Sequence, residues 1–145
     1  MGHYLNPKNK ARNYNVSFSE QFEDEVRSRF MAFTSDIAMS NQDRRAVSIS
    51  LSEMTLNAIE HSKTADNQVL LQFELHQDRL MITVQDHGGQ APGPNLDKPR
   101  KSFRGNGFKV IKALCDRVEI FPSKAGFRIA ITKNLWRPQI GGFSL

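Results

Sequence analysis

Two stretches of alternating apolar residues constrain this chain more than anything else in it. Val69, Leu71, Phe73 and Leu75 alternate with Leu70, Gln72 and Glu74. After the polar turn His76-Gln77-Asp78, Leu80, Ile82 and Val84 alternate with Met81, Thr83 and Gln85. A period of two sends every second side chain to the same face of a sheet. The two stretches therefore predict an antiparallel hairpin with one buried face, ending at Asp86. Such a face must be covered by another layer.

The rest of the chain supplies that cover. Ser19 is a candidate cap for a helix over residues 19–38, with Phe22, Val26, Phe30, Phe33 and Ile37 on one side and Glu20, Glu23 and Glu25 in its first turns. Asn41 is a candidate cap for a second helix running to about Ser62 or Lys63. Tyr14–Phe18 reads as a short strand. Phe108, Ile111, Leu114 and Cys115 follow helical spacing from Gly107 to near Asp116. Val118 and Ile120, then Phe127, Ile129 and Ile131, give a second hairpin turned by residues 122–126. Between the hairpins, residues 87–106 are rich in glycine and proline and predict a long loop, a candidate lid. The expected fold is an α/β two-layer sandwich, with a mixed, mostly antiparallel sheet and helices on one face. Residues 1–12 are expected to be a flexible arm, 13–135 the domain, and 136–145 a tail.

Composition narrows the class. Apolar residues make up 39% of the chain, enough for a core, and no apolar run is long enough to span a bilayer, so no membrane role is expected. The start of the chain lacks the apolar stretch of a signal peptide, and position 6 is Asn rather than the Ser or Thr of a myristoylation signal. The single cysteine, Cys115, allows no intramolecular disulfide and reads as a small core residue; a cytoplasmic location is expected. The formal charge of +5 suits an anionic ligand or an acidic partner. No zinc-finger spacing or aromatic-basic stripe accompanies it, so no direct contact with nucleic acid is expected.

Three clusters carry candidate chemistry. On the second helix, Glu53, Asn57 and His61 recur every four residues, with Glu60 beside them, forming a polar strip between two apolar sides. One side holds Val47, Leu51, Met54 and Ala58, and the other Ile49, Leu56 and Ile59. A carboxylate there can take a proton from a hydroxyl, and an amide oxygen is a hard ligand suited to Mg²⁺. His61 reads as a helix-end residue rather than a metal ligand, and His87 lacks zinc-type spacing. Asp86 closes a strand before His87-Gly88-Gly89, where a carboxylate can accept from an exocyclic amino group and a glycine lets backbone approach a ring. Arg104-Gly105-Asn106-Gly107 opens a helix, an arrangement suited to phosphate, with Lys98, Arg100 and Lys101 just before it. No Walker sequence and no strand-to-helix GxGxxG is present. Each cluster also has an ordinary reading: a solvated helix face, an aspartate turn, and a soluble basic loop.

Their order and spacing carry a resemblance. Ser52–Ser62 (SEMTLNAIEHS), Val84–Gln90 (VQDHGGQ) and Arg104–Ile120 (RGNGFKVIKALCDRVEI), with the closing AGFRIAITKNL, resemble the ATP-binding domain shared by gyrase, the chaperone Hsp90, histidine kinases and MutL. Within that superfamily the chain looks most like the stand-alone anti-sigma factor serine kinases of bacteria, over roughly residues 14–135. The resemblance implies a Bergerat-type ATP-binding fold that uses ATP and Mg²⁺. It implies that Asn57 is the Mg²⁺ ligand, Glu53 the general base, Asp86 the adenine-reading carboxylate and Gly88 the glycine clearing space for the ring. Gly105 and Gly107 look like the phosphate-loop glycines, with Lys101, Arg104 and Asn106 around them. It further implies a protein that holds a sigma factor or similar regulator, phosphorylates a small antagonist protein on serine, and forms homodimers.

Two positions depart from the family pattern. Gln90 stands where the aspartate turn often has its second glycine, and Phe108 where Leu is common. A protein-serine kinase is the leading expectation. Gln90 keeps open a non-catalytic, nucleotide-dependent protein-binding switch of the same fold, and the net charge a basic nucleic-acid-associated protein.

Overall fold

A computed structural model describes residues 9–17, 19–61, 68–86, 107–123 and 126–135. Five strands and three helices follow one another: β1 (Asn9–Ser17), α1 (Phe22–Thr34), α2 (Asn41–His61), β2 (Gln68–His76), β3 (Arg79–Asp86), α3 (Gly107–Leu114), β4 (Arg117–Ser123) and β5 (Gly126–Asn134). The strands form one sheet in the order β1-β2-β3-β5-β4. All four ladders among the described residues are antiparallel. The two-layer α/β sandwich expected from the sequence is present.

The central hairpin follows its alternation. His76 pairs with Arg79, and the turn between them places Gln77 at a φ of 58°. Leu71 faces Val84, Phe73 faces Ile82 and Leu75 faces Leu80, all buried. Ile129 and Ile131 of β5 extend this surface beyond Val84 and Ile82. Fully burying each such side chain contributes about 1.5–3 kcal/mol.

The helices cover this face. α1 lies over β1 and α2, while α2 lies over β3 and β5 and against α3. Phe33 stacks on Phe73 at 5.4 Å, and Tyr14 meets the same ring edge-on at 5.9 Å. Phe73 thus joins the first helix, the edge strand and the sheet centre.

Several boundaries differ from the sequence reading, each for a local reason. β1 starts at Asn9 rather than Tyr14, because Asn9–Asn13 pair along β2 and Lys10 reaches α1. The Lys10 ammonium donates to Phe33 O (2.8 Å) and to Asp36 Oδ1 (2.7 Å). α1 starts at Phe22, not Ser19, and Ser19 Oγ instead accepts from Gln21 N in the preceding turn. It ends at Thr34, where Arg44 donates to Thr34 Oγ1 (2.7 Å) and Thr34 O (3.4 Å). The last turn of α1 has no basic residue of its own, so α2 supplies the cation that its carbonyls favour. α2 is capped by Ser40, whose hydroxyl accepts from Asp43 N (3.0 Å), so Asn41 is the first helical residue rather than the cap. The second hairpin is tighter than expected, with Pro122 and Ser123 inside β4 and Ser123 paired with Gly126. Proline is tolerated there because β4 is an edge strand. Asn134 ends β5. Leu135 after it is buried and donates its N–H to Asp78 O.

Candidate functional site

α2 carries Glu53 and Asn57 of the predicted polar strip one turn apart. Val47, Leu51, Met54 and Ala58 are buried against the core, as the helical spacing required. The opposite side is less covered than expected: Leu56 is half-buried, and Ile49 is 40% exposed. α3 lies against the helix without sealing that flank. Ser50 and Thr55 are buried as well. Their hydroxyls donate to Ala46 O (2.9 Å) and Leu51 O (2.7 Å), which satisfies them inside the helix.

Glu53 is half-buried on the strip. Its carboxylate stands at the first residue of α3. A Cβ built on Gly107 would lie 2.7 Å from Glu53 Oε1, a distance that real Cβ contacts essentially never show. The carboxylate therefore fills the space left by the missing side chain, at the end of α3 where peptide dipoles favour negative charge. The other end of α3 receives a cation, since Lys133 of β5 donates to Leu114 O (3.0 Å). The short helix is thus flanked by opposite charges from two other elements.

Asn57, one turn beyond Glu53, is 8% exposed. Asp86 is 2% exposed at the end of β3, opposite Val69. It shares the sheet face of Leu80, Ile82 and Val84, the face on which the helices pack. A buried carboxylate and a buried amide are uncommon, because both lose hydration. Of the other predicted positions, Gly88, Lys101, Arg104, Gly105 and Asn106 lie outside the described residues, as does the expected lid over 87–106. His61 ends α2. The structure thus brings Glu53 directly against Gly107, carries Asn57 on the same helix, and places Asp86 in the sheet layer beneath the helices.

Two contacts of this region were not foreseen. Glu53 and Gly107 are far apart in sequence, and no periodicity links them. Cys115 donates to Ser50 Oγ (3.2 Å), tying the end of α3 to α2, and burial pushes its thiol pKa up. The cysteine is half-buried rather than fully within the core. A groove of about 50 Å³ runs between α1 and α2, and one of about 230 Å³ lies between α2 and α3 beside Ile49 and Leu114. Neither is lined by Glu53, Asn57 or Asp86.

Comparison with known proteins shows the family of the chain. The sequence pattern of the histidine kinase-like ATPase domain matches residues 19–133. The chain belongs to that family. This histidine kinase-like ATPase domain is 26% identical over 136 residues to the serine-protein kinase RsbW of Halalkalibacterium halodurans, covering 86% of this chain and 83% of that protein. It is 26% identical over 129 residues to the RsbW of Bacillus licheniformis, covering 79% of this chain and 80% of the other. Among solved structures, its fold matches the RsbU and RsbW domains of Rv1364c from Mycobacterium tuberculosis with a TM-score of 0.70 at 20% identity. That match covers 89% of this chain and spans 33% of the length of the solved one. The fold also matches the histidine kinase domain of a blue-light activated kinase from Erythrobacter litoralis, with a TM-score of 0.52 at 18% identity and coverage of 65% of this chain and 45% of the other. Among the described residues, no helix is long and apolar enough to cross a membrane.

Proposed function

We propose that this chain binds ATP with Mg²⁺, phosphorylates a small antagonist protein on serine, and sequesters a sigma factor or similar regulator. The observation that carries the reading is the Glu53 carboxylate held against the first residue of α3, one helical turn from the buried amide of Asn57. Similarity to the RsbW serine-protein kinases supports it.

The residues present suit the ligands. Asn57 offers one hard oxygen, and Mg²⁺ commonly takes one or two protein ligands with phosphate and water completing its shell. Asp86 offers a desolvated acceptor for an amino group. Gly105, Asn106 and Gly107, with Lys101 and Arg104, would supply backbone donors and charge to the phosphates. When bound, Mg²⁺ would neutralise phosphate charge.

In the proposed transfer, the serine Oγ forms a bond to the γ-phosphorus. The bond from that phosphorus to the bridging oxygen breaks, and its electron pair leaves on ADP. Glu53 accepts the serine proton. Positioning and charge supply most of the rate in such reactions, and a base contributes about 10²–10⁴-fold. Glu53→Gln should therefore retain Mg-ATP affinity by calorimetry and lose transfer from γ-labelled ATP to the antagonist by at least about 100-fold. Transfer at the original rate would show that Glu53 is not the base. Gln90 favours a second reading, a nucleotide-dependent protein-binding switch without turnover, and the same labelling assay separates the two.

A further inference from the structure

The glycine at position 107 is not demanded by its backbone. It is the first residue of α3, it has no left-handed φ, and a glycine weakens a helix relative to alanine. It is buried, and what a side chain there would meet is Glu53: its Oε1 at 2.7 Å, its carboxyl carbon at 3.7 Å and its Cβ at 3.9 Å. The nearest of these atoms is the tip of a flexible side chain. A methyl group at 107 would therefore swing the carboxylate aside rather than break the fold.

We propose that Gly107 is a positioning residue for Glu53, fixing where the carboxylate stands by leaving it the space of one methyl group. The inference rests on the reading of Glu53 as the base. It assigns Gly107 a role separate from contact with phosphate: the residue sets the direction from which Glu53 meets the acceptor hydroxyl. In Gly107→Ala the oxygen must retreat from 2.7 Å to ordinary contact beyond 3.4 Å. A displacement of that order at a reacting group lowers turnover by about 10- to 100-fold.

The test compares wild type, Gly107→Ala, Glu53→Asp and the double variant. Mg-ATP affinity, the rate of γ-phosphate transfer, melting temperature and the ¹³C resonance of the Glu53 carboxyl group are measured. In Gly107→Ala, transfer should fall about 10- to 100-fold beyond any change in Mg-ATP affinity, the melting temperature should hold, and the carboxyl resonance should move. Glu53→Asp is one methylene shorter and avoids the added methyl, so the double variant should lose less than the product of the two single losses. Weakened Mg-ATP affinity with an unmoved resonance would overturn the proposal and leave Gly107 as a phosphate contact. Unfolding of both Gly107→Ala and the double variant would also overturn it, because the space would then serve the backbone. If wild type transfers no phosphate, the kinase reading fails, and the carboxyl resonance still decides whether Gly107 positions Glu53.

Discussion

Replacing Asp86 by Asn tests the nucleotide reading at its most buried member. The change keeps size and shape while exchanging a charged acceptor for a neutral amide. Asp86 is only 2% exposed, so water compensates little for a lost partner. A hydrogen bond to a charged group contributes about 1.5–3 kcal/mol, which corresponds to an affinity loss of about 10- to 150-fold. Calorimetry with Mg-ATP and Mg-GTP measures it directly. The loss should fall on ATP, with the affinity for GTP changing little. Asp86 also interacts within the fold, so the melting temperature of the variant has to be measured alongside. A variant that melts like wild type and binds Mg-ATP as tightly would refute the assignment of Asp86 to the adenine amino group.

Two further predictions concern the scaffold. Ser40→Ala removes the hydroxyl that accepts from Asp43 N and should cost about 1 kcal/mol in denaturant melts, while Asn41→Ala should cost less. The hydrogen bond from Lys10, 2.7 Å away, holds the Asp36 carboxyl below its ordinary value of 3.8, so its contribution is present above that value and is lost as pH falls through the lower folded-state pKa. The stability difference between wild type and Asp36→Asn should accordingly be small at neutral pH, since Asp36 is well exposed, and close as the medium is acidified below pH 3.8. A difference that stays constant across that range would show that the ion pair is not its source.

Much of this was legible in the sequence wherever burial imposes a period. Val69–Val84 showed the central hairpin because every second side chain is in the core. Phe22, Val26, Phe30 and Phe33 showed α1 for the same reason. The start of β1 was not legible. Asn9–Asn13 are mostly exposed and polar, and their extended form is imposed by pairing with β2 and by the reach of Lys10 to α1. The sequence reading places the cap of α2 at Asn41, but Ser40 is an equally good capping residue, and a single hydrogen bond assigns the cap to it. Ile49 suited a buried flank by type and spacing, but the extent to which α3 covers α2 is a tertiary matter. For the candidate site, the helical strip and the strand-end aspartate were visible as residue types at a spacing. The meeting of Glu53 with Gly107 was not, because it depends on how two helices distant in sequence come together.

The outer borders of the sheet carry a consequence for how the chain meets others of its kind. Along one rim stands the exposed Arg12, and along the other the exposed Arg117, together with Pro122, whose nitrogen has no hydrogen to offer. Charge and proline at a rim discourage a further strand from attaching, which protects against aggregation. Among the described residues, the two rims are therefore poor templates for growth of the sheet into an endless ribbon.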